Sequence, residues 1–337
     1  MRPSFILNLL SQGSSEALSL GSKQLERVIT PSVAQALRTN GFAVVDGVLG
    51  SACSGQLVEE MHTIRNTPHM IRNATHLVKD GATRLLEKER IWEMDPLSKA
   101  WPEVTKTAAT FGQLNTDFTL GTLLNVHLPE LCLDSQALKV QWNDGDGGCF
   151  PLHFDSDRDL DRRQVTAVVY LNEGWEPEDG GQIVMYPFPS APVAIEPVMD
   201  RMVLFSSPNM LHRVLPSRRP RMCFSVWFSS TKPPSRTGLA PAAVAGASAT
   251  ELLGDHRYRR MLARAAYAEE WAESIRQSHA ESDARALALD AHWKDVGIIS
   301  RVFSNVLPEV LAMVDPPSES SAGGAARPPF GVKWLDF

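Results

Sequence analysis

Apolar residues in the first part of the chain follow helical spacing that one short strand interrupts. The segment 30–41, TPSVAQALRTNG, carries apolar residues on one helical face, and Asn40-Gly41 is a typical helix end. A short apolar strand is predicted at 42–45, and a second helix over about 51–65. The pattern further predicts a strand at KERIWEMD and a helix over about 99–120.

Beyond residue 138 the pattern changes to short β-rich runs separated by Gly, Pro, Asn and Asp. The runs are ALKVQW, FPLHFD, QVTAVVYLN, GGQIVMYPF, RMVLFS and RMCFSVWFSS. Many short strands separated by turn residues indicate an antiparallel barrel or sandwich rather than alternating strands and helices.

Composition divides the chain into five predicted segments. The segment 231–250 is rich in Pro, Gly and Ala, which is typical of a linker. Apolar residues at helical spacing return after this segment, and Pro308 is expected to kink or end the last helix. We expect these helices to pack on the β-rich domain or on a second copy, with a role in substrate docking as the alternative. The sequence leaves the oligomeric state open. The segments are an N-terminal tail at 1–29 (disordered or a weak targeting segment), a β-rich domain at 30–230, a linker at 231–250, a helical extension at 251–315 and a low-complexity tail at 316–337.

Composition and charge exclude several classes of protein. Of the 337 residues, 43% are hydrophobic and 21% are charged, which is typical of a globular chain. A net charge of −6 gives no general attraction to nucleic acid, and no stretch reaches the ~18–20 apolar residues of a membrane span. The four cysteines form no CxxC pair, which argues against a cysteine zinc site. The expected location is the cytoplasm, with a mitochondrial presequence or a nuclear location as alternatives.

Candidate chemistry lies in two short motifs of the β-rich region. In PLHFDSD, His153 and Asp155 fall on the same face of a predicted strand, and MLHRV supplies His212 from far along the chain. Two imidazoles and one carboxylate suit a non-haem Fe(II) ion that keeps open coordination positions. Because an H-x-D triplet also occurs by chance, ordinary polar residues remain the alternative.

The alternating strand RMCFSVWF strengthens the metal hypothesis. It places Arg221, Ser225 and Trp227 on one face. If that face lines a barrel, the guanidinium is buried and needs an anion, and a carboxylate matches its fork. Tyr170, on another candidate barrel strand, could donate its hydroxyl to the same anion. The pattern thus predicts metal ligands at one end of a cavity and a carboxylate receptor deeper in it.

The span from Thr30 to Phe228 resembles the 2-oxoglutarate- and Fe(II)-dependent dioxygenases, and most of all their prolyl 4-hydroxylase branch of the oxygen-sensing type. The matching pieces, in order, are ALRTNGFAVVDGVLG, HFD, VVYLNEGWEPEDGGQIVMYPF and IEPVMDRMVLFSS…MLHRVLPSRRPRMCFSVWF. The resemblance implies an α+β fold: a double-stranded β-helix (jelly roll) with flanking N-terminal helices and a C-terminal helical extension.

The resemblance also implies roles for single residues. His153, Asp155 and His212 match the family's iron ligands. Arg221 matches the base that binds the distal carboxylate of 2-oxoglutarate, and Tyr170 the tyrosine that assists it.

Further matches concern the walls of the cosubstrate cavity. Ser225 corresponds to a small hydroxyl residue near the cosubstrate, Trp227 to an aromatic wall, and Val168 and Ile183 to apolar lining residues. The departure is at Asn143, where oxygen-sensing relatives carry a tyrosine that bonds the cosubstrate. Asn143 could still donate a hydrogen bond, but its position among turn-forming residues equally predicts a role in a turn.

The reaction implied by the resemblance is hydroxylation of a prolyl residue in a protein or peptide. Fe(II), 2-oxoglutarate and O2 are the implied cofactor and cosubstrates, with ascorbate as reductant and succinate and CO2 as products. Two alternatives stay open: the same chemistry on another side chain or a free small molecule, and a catalytically silent binding module. The segments 72–90 and 157–163 are predicted to be loops that select the substrate, and no nucleic acid is expected as a partner.

Overall fold

The N-terminal elements begin and end close to where the sequence predicts. A computed structural model describes residues 23–79, 82–94, 99–158, 161–232, 238–314 and 332–335. Helix α1 (Pro31–Asn40), strand β1 (Phe42–Asp46) and helix α2 (Ser51–Arg65) follow one another in this part. Helix α1 ends because Gly41 takes the left-handed conformation, with φ of 78°, and its amide bonds the Leu37 carbonyl.

The segment 72–90 differs from its prediction as a loop. It lies in an antiparallel hairpin of strands β2 (Ile71–Lys79) and β3 (Ala82–Met94). The hairpin extends the larger sheet, because Ile91–Met94 of β3 pair with the following strand of that sheet. Part of the predicted substrate rim is therefore built from strands.

The single helix predicted over 99–120 is wrong, because the structure has three short helices in this part of the chain. They are α3 (Trp101–Val104), α4 (Ala109–Leu114) and α5 (Thr119–His127). The buried carboxylate of Glu60 accepts hydrogen bonds from the amides of Thr110 and Phe111, both at 3.0 Å. These bonds satisfy the first amides of α4 and so fix a new helix start inside the predicted helix.

Two antiparallel sheets form the core and confirm the expected α+β class with a jelly-roll centre. The larger sheet has the order β1-β9-β6-β11-β4-β3-β2 and the smaller one β5-β10-β7-β8. Their remaining strands are β4 (Ser135–Asn143), β5 (Gly148–His153), β6 (Arg163–Tyr170), β7 (Ile183–Tyr186), β8 (Val193–Ile195), β9 (Arg201–Ser206), β10 (Leu211–Ser217) and β11 (Arg221–Ser229).

Strand β11 separates the main core from the interior cavity, as its alternation predicts. It lies between β6 and β4 in the larger sheet. Phe224, Val226 and Phe228 are buried in the hydrophobic core under the N-terminal helices. The opposite face, which begins with Arg221, lines a pocket between the two sheets.

The C-terminal helices pack on the smaller sheet. They are α6 (Ala249–Gly254), α7 (His256–Ala266), α8 (Ala268–Ser278), α9 (Asp283–Val302) and α10 (Leu307–Ala312). Leu152, Tyr186 and Phe188 of the sheet side share one hydrophobic cluster with Trp271 and Ile275 of α8. Packing on the β-rich part is therefore the arrangement observed within this chain.

Pro308 begins a helix instead of kinking or ending one. Helix α9 already ends at Val302, and Pro308 occupies the first turn of α10. The first turn tolerates proline because its amide would have no partner within the helix.

The last described residues return to the barrel, which the prediction of a low-complexity tail at 316–337 does not anticipate. Trp334 is 1% exposed, and its carbonyl accepts a hydrogen bond from Asn209. A Cβ atom on Gly41 would lie 2.5 Å from the Trp334 ring, so that the close approach requires glycine. Residues 1–22 and 315–331, on which the two predicted tails largely fall, lie outside the described residues.

The cysteines and the length of the helices complete the description of the fold. Cys53, Cys149 and Cys223 are buried free thiols, whereas Cys132 is exposed. Among the described residues, no helix has the length and apolar character needed to cross a bilayer.

Candidate active site

Three chain segments bring His153, Asp155 and His212 together in the interior of the jelly roll. His153 is the last residue of β5, and His212 is its direct partner on the neighbouring strand β10. Asp155 lies in the bend that follows β5. One ligand atom from each residue lies within 4.8 Å of the other two. These three side chains form the only such His, Cys, Asp and Glu group found among the described residues.

Backbone carbonyls fix both imidazole rings. Nδ1 of His153 lies 2.8 Å from the Pro151 carbonyl, and Nδ1 of His212 lies 3.1 Å from the Met210 carbonyl. Because a carbonyl only accepts, each Nδ1 carries the proton and each Nε2 keeps a free lone pair. The two Nε2 atoms lie 3.5 and 3.6 Å from Oδ1 of Asp155, so the lone pairs and one carboxylate oxygen converge.

The second carboxylate oxygen of Asp155 is held by two side-chain donors. Oδ2 accepts hydrogen bonds from Oγ1 of Thr166 at 2.7 Å and from Nε1 of Trp227 at 3.1 Å. Burial alone would raise the pKa of Asp155, but the two histidines and Thr166 outweigh it and hold the pKa below its ordinary value. The carboxyl is therefore an anion, oriented before any ligand arrives.

His212 is neutral at physiological pH. Burial and the neighbouring His153 lower the pKa of His212 to about 4, although the Asp155 carboxylate acts in the opposite direction. A neutral imidazole is the form that binds a metal ion.

A buried cation lies deeper in the same pocket. Arg221 is 3% exposed, and its guanidinium contacts the Cys223 sulfur at 3.5 Å and the face of the Tyr170 ring. Among the described residues, Nε of Arg221 and the hydroxyl of Tyr170 have no hydrogen-bond partner, and no acidic side chain forms an ion pair with Arg221. Burial raises the pKa of Tyr170, so the phenol stays protonated and can donate. A buried guanidinium beside an unused phenol is a receptor for an anion.

The pocket between the triad and Arg221 is lined by residues that the sequence predicts and by others that it does not. Ser225, Trp227, Val168 and Ile183 line it, where the sequence places them. Phe150, Phe205, Val214, Lys139 and Gln141 line it as well, and sequence reasoning missed them. For Lys139 and Gln141 the available signal was the alternation of β4, whose inward face they share.

Asn143 differs from its predicted role at the cosubstrate. Its side-chain amide donates to the Gly148 carbonyl at 2.8 Å, and its Oδ1 accepts from the Gly145 amide at 2.9 Å. Both amide atoms are thus used to close the turn between β4 and β5. The structure gives Asn143 the turn role that its sequence context predicts equally, and it does not line the pocket beside Arg221.

Comparisons with known proteins identify this arrangement. The model of the 2OG-Fe(II) oxygenase superfamily matches residues 136–229, which contain all three members of the triad and Arg221. A solved structure of prolyl 4-hydroxylases from Phytophthora capsici is 28% identical, has a TM-score of 0.68 and covers 87% of this chain and 94% of its own. These matches relate the chain to the 2OG-Fe(II) oxygenase superfamily and, within it, to prolyl 4-hydroxylases.

Curated relatives share shorter parts of the chain. A hypoxia-inducible factor prolyl hydroxylase of Caenorhabditis elegans is 36% identical over 87 residues, which are 25% of this chain and 12% of the relative. Human Egl nine homolog 1 is 25% identical over 198 residues, which are 57% of this chain and 44% of the relative. The chain therefore spans less than half the length of these two curated relatives.

The residues of this pocket fit both groups named by the matching family model, which are Fe(II) and 2-oxoglutarate. Two imidazoles and one carboxylate are a donor set for non-haem Fe(II) that leaves coordination positions open. The unpartnered Nε of Arg221 and the unpartnered Tyr170 hydroxyl fit one carboxylate of 2-oxoglutarate. The fit to 2-oxoglutarate rests on these two buried polar atoms, which have no hydrogen-bond partner among the described residues.

Proposed function

We propose that the protein is an Fe(II)- and 2-oxoglutarate-dependent dioxygenase that hydroxylates a prolyl residue in a protein or peptide. The observation that carries the proposal is the His153, Asp155 and His212 cluster together with a buried guanidinium that has no acidic partner among the described residues. We further propose that the enzyme acts in the cytoplasm and that ascorbate serves as its reductant.

The chain's own residues supply binding, orientation and exclusion of water. His153, Asp155 and His212 would hold the iron with their lone pairs already converging, while Arg221 and Tyr170 would bind the distal carboxylate of 2-oxoglutarate. The iron, when bound, supplies the chemistry that couples oxidative decarboxylation of 2-oxoglutarate by O2 to hydroxylation of a C–H bond, with succinate and CO2 as products.

Two grooves that adjoin at His153 support a polypeptide substrate over a free small molecule. One groove has a volume of about 730 Å³ and the other about 620 Å³. His153, Phe154, Arg264 and Trp271 line both, so the two grooves adjoin beside the candidate metal centre. An extended chain can enter by one groove and leave by the other, whereas a free amino acid would fill a small part of either.

The experiment is hydroxylation of a proline-containing peptide pool by purified protein with Fe(II), 2-oxoglutarate and ascorbate. Mass spectrometry scores oxygen addition on proline against other residues, and succinate release is measured in parallel. Free proline and a set of small amides serve as the alternative substrates. The variants are His212→Ala and Arg221→Ala.

We expect oxygen on proline within peptides and its loss in His212→Ala, because one of three metal ligands is missing. Arg221→Ala should raise the 2-oxoglutarate requirement at least about a hundredfold, since the variant loses a charge-assisted bidentate contact, while iron binding is kept. Oxygen on a free small molecule alone would favour that alternative. A wild-type protein with neither iron nor turnover would favour a silent binding module and contradict the proposal.

A further inference from the structure

The larger of the two grooves is built jointly by the β2–β3 hairpin and the helical extension. Asn73, Thr75 and Lys88 of the hairpin line one wall. Trp271, Ile275 and His279 of α8, with Ala288 and Ala291 of α9, line the opposite wall. The family model matches residues 136–229 and so covers neither wall.

Lys88 is a buried cation in this groove. Its side chain is 7% exposed, and its ammonium donates to the side-chain oxygens of Asn73 at 2.5 Å and Thr75 at 3.0 Å. Both acceptors are neutral, and no acidic side chain of the described residues forms an ion pair with Lys88. Because an ammonium has three donors, one remains for a ligand.

The charges that act on Lys88 leave its charge only partly compensated. Glu93 is the carboxylate that acts on it, but Glu93 also accepts a hydrogen bond from Lys139 at 2.9 Å and another from the Asn73 amide. Two ammonium groups therefore share one carboxylate. Burial and the Lys139 charge lower the pKa of Lys88 to about 8, with Glu93 acting in the opposite direction.

The facing helix adds a polar atom but no negative charge. His279 is buried, burial lowers its pKa to about 4, and its Nε2 has no hydrogen-bond partner among the described residues. The groove also carries Arg163 and Arg264, which form ion pairs with Asp161 and Asp295. The wall around Lys88 and His279 thus offers unfilled hydrogen-bonding capacity next to apolar surface from Trp271 and Ile275.

We propose that Lys88 binds the carboxylate of an acidic residue of the polypeptide substrate, close in sequence to the target proline. The inference rests on the proposed function, because it assumes that the groove holds a peptide. A carboxylate supplies the missing counter-charge and accepts the third N–H of Lys88 in a water-poor site, where a charge-assisted hydrogen bond is strong. Lys88 is then a specificity-determining residue, and the apolar surface of α8 packs against the neighbouring peptide residues.

The test measures binding and hydroxylation with the same peptides. Proline-centred peptides carry Asp or Asn at each of the four positions on either side of the proline, with free or amidated C-termini. Affinity for the full-length protein loaded with Mn(II) and 2-oxoglutarate without O2 is measured by fluorescence anisotropy, and oxygen addition to the Fe(II) protein by mass spectrometry. The variants are Lys88→Met, Lys88→Arg and, as a matched control, Lys106→Met at an exposed lysine paired with Glu103.

We expect at least one position at which Asp binds about tenfold or more tightly than Asn. Lys88→Met should abolish this preference, Lys88→Arg should retain most of it, and Lys106→Met should leave it unchanged. Circular dichroism of Lys88→Met checks folding, and Lys88→Arg keeps the test decisive if the Met variant does not fold. Equal binding of Asp and Asn peptides at every position, or a preference that survives in Lys88→Met, would overturn the inference. A preference seen only with free C-termini would assign the receptor to a terminal carboxylate and also overturn it.

Failure of this inference and failure of the proposed function give different results. Oxygen addition to proline without any preference for acidic residues would leave the proposed function standing and remove the role of Lys88. A Lys88-dependent preference in binding without oxygen addition would keep the role of Lys88 and contradict the proposed function.

Discussion

At the scale of single residues, Asp155 is oriented by Thr166 and Trp227, two hydrogen-bond donors that are not candidate metal ligands. Trp227 donates its indole N–H to Asp155, and its ring also lies under the guanidinium of Arg163 at 4.3 Å. A Trp227→Phe substitution separates the two interactions, because phenylalanine keeps an aromatic face for Arg163 but has no N–H to donate to Asp155.

Trp227→Phe is expected to weaken metal binding by about 10- to 100-fold, the usual cost of losing an outer hydrogen bond to a ligand. Titration of the metal-free protein with Mn(II) measures the effect. The control is Trp175→Phe, which removes an indole hydrogen bond to the Gly180 carbonyl away from the triad. Equal metal affinities for wild type and Trp227→Phe would show that Thr166 alone is enough to orient Asp155.

Asn143 allows the turn role and the cosubstrate role to be separated by experiment. Asn143→Ala leaves the Gly148 carbonyl and the Gly145 amide without their side-chain partners, which we expect to cost about 1–3 kcal/mol of unfolding free energy. The affinity for 2-oxoglutarate should stay within about twofold. Denaturant unfolding and calorimetric titration measure the two quantities. A large loss of 2-oxoglutarate affinity at unchanged stability would restore the cosubstrate role.

The residues found by sequence reasoning are those fixed by local pattern or by resemblance. Side chains two positions apart on a strand lie on the same face. This rule relates His153 to Asp155 in one motif and places Arg221 on the inward face of another strand. Lys88 could not be found in this way. Its burial follows from the pairing of β3 with β4 and from the helices that cover the hairpin, which are contacts between distant parts of the chain.

At the scale of elements, one hydrogen bond joins the helical extension to the strand that carries His153. Oγ of Ser274 on α8 accepts from the amide of Leu152 at 3.0 Å and donates to the Trp271 carbonyl. Ser274 is fully buried, so no solvent can replace the lost partner. The extension thus contributes to holding the end of β5.

Ser274→Ala is expected to destabilise the protein by about 1–3 kcal/mol, because a buried backbone amide loses its acceptor. Ser278→Ala is the matched control, since Ser278 is also buried on the same helix but its hydroxyl bonds carbonyls of α8 itself and Nδ1 of the adjacent His279. The control should cost clearly less. Thermal unfolding of the two variants side by side measures the difference, and equal losses would show that the bond to β5 adds no stability.

Element boundaries were predictable where the signal was local and wrong where tertiary contacts decided them. Gly41 ends α1 through its own backbone conformation. The break in the predicted helix over 99–120 depends on Glu60, which lies far away in sequence. Pro308 is ambiguous from sequence alone, because proline can end one helix or occupy the first turn of the next, as it does here.

At the scale of the whole molecule, the alternating strands and their turns indicate the jelly roll, whereas the helical cover of its smaller sheet depends on contacts that the sequence does not encode locally. Folding of the jelly roll and of its helical cover also buries histidines. Burial is the largest cause that lowers the pKa of His212, His256 and His279 to about 4 each. All three are therefore neutral in the folded protein at physiological pH.

Stability of the metal-free protein should consequently fall as the pH is lowered from about 6.5 to about 4. In that window each of these histidines binds a proton in the unfolded chain, where its pKa is near the ordinary 6.5, but not in the folded protein. Acid therefore favours unfolding, by about 1–3 kcal/mol for each histidine over the whole window, and stability levels off above it. Urea unfolding at a series of pH values measures the slope, and His279→Asn should reduce it by about one proton. An unchanged slope in that variant, or stability that rises toward pH 4, would mean that the folded protein admits the proton and that these imidazoles are not sealed from solvent.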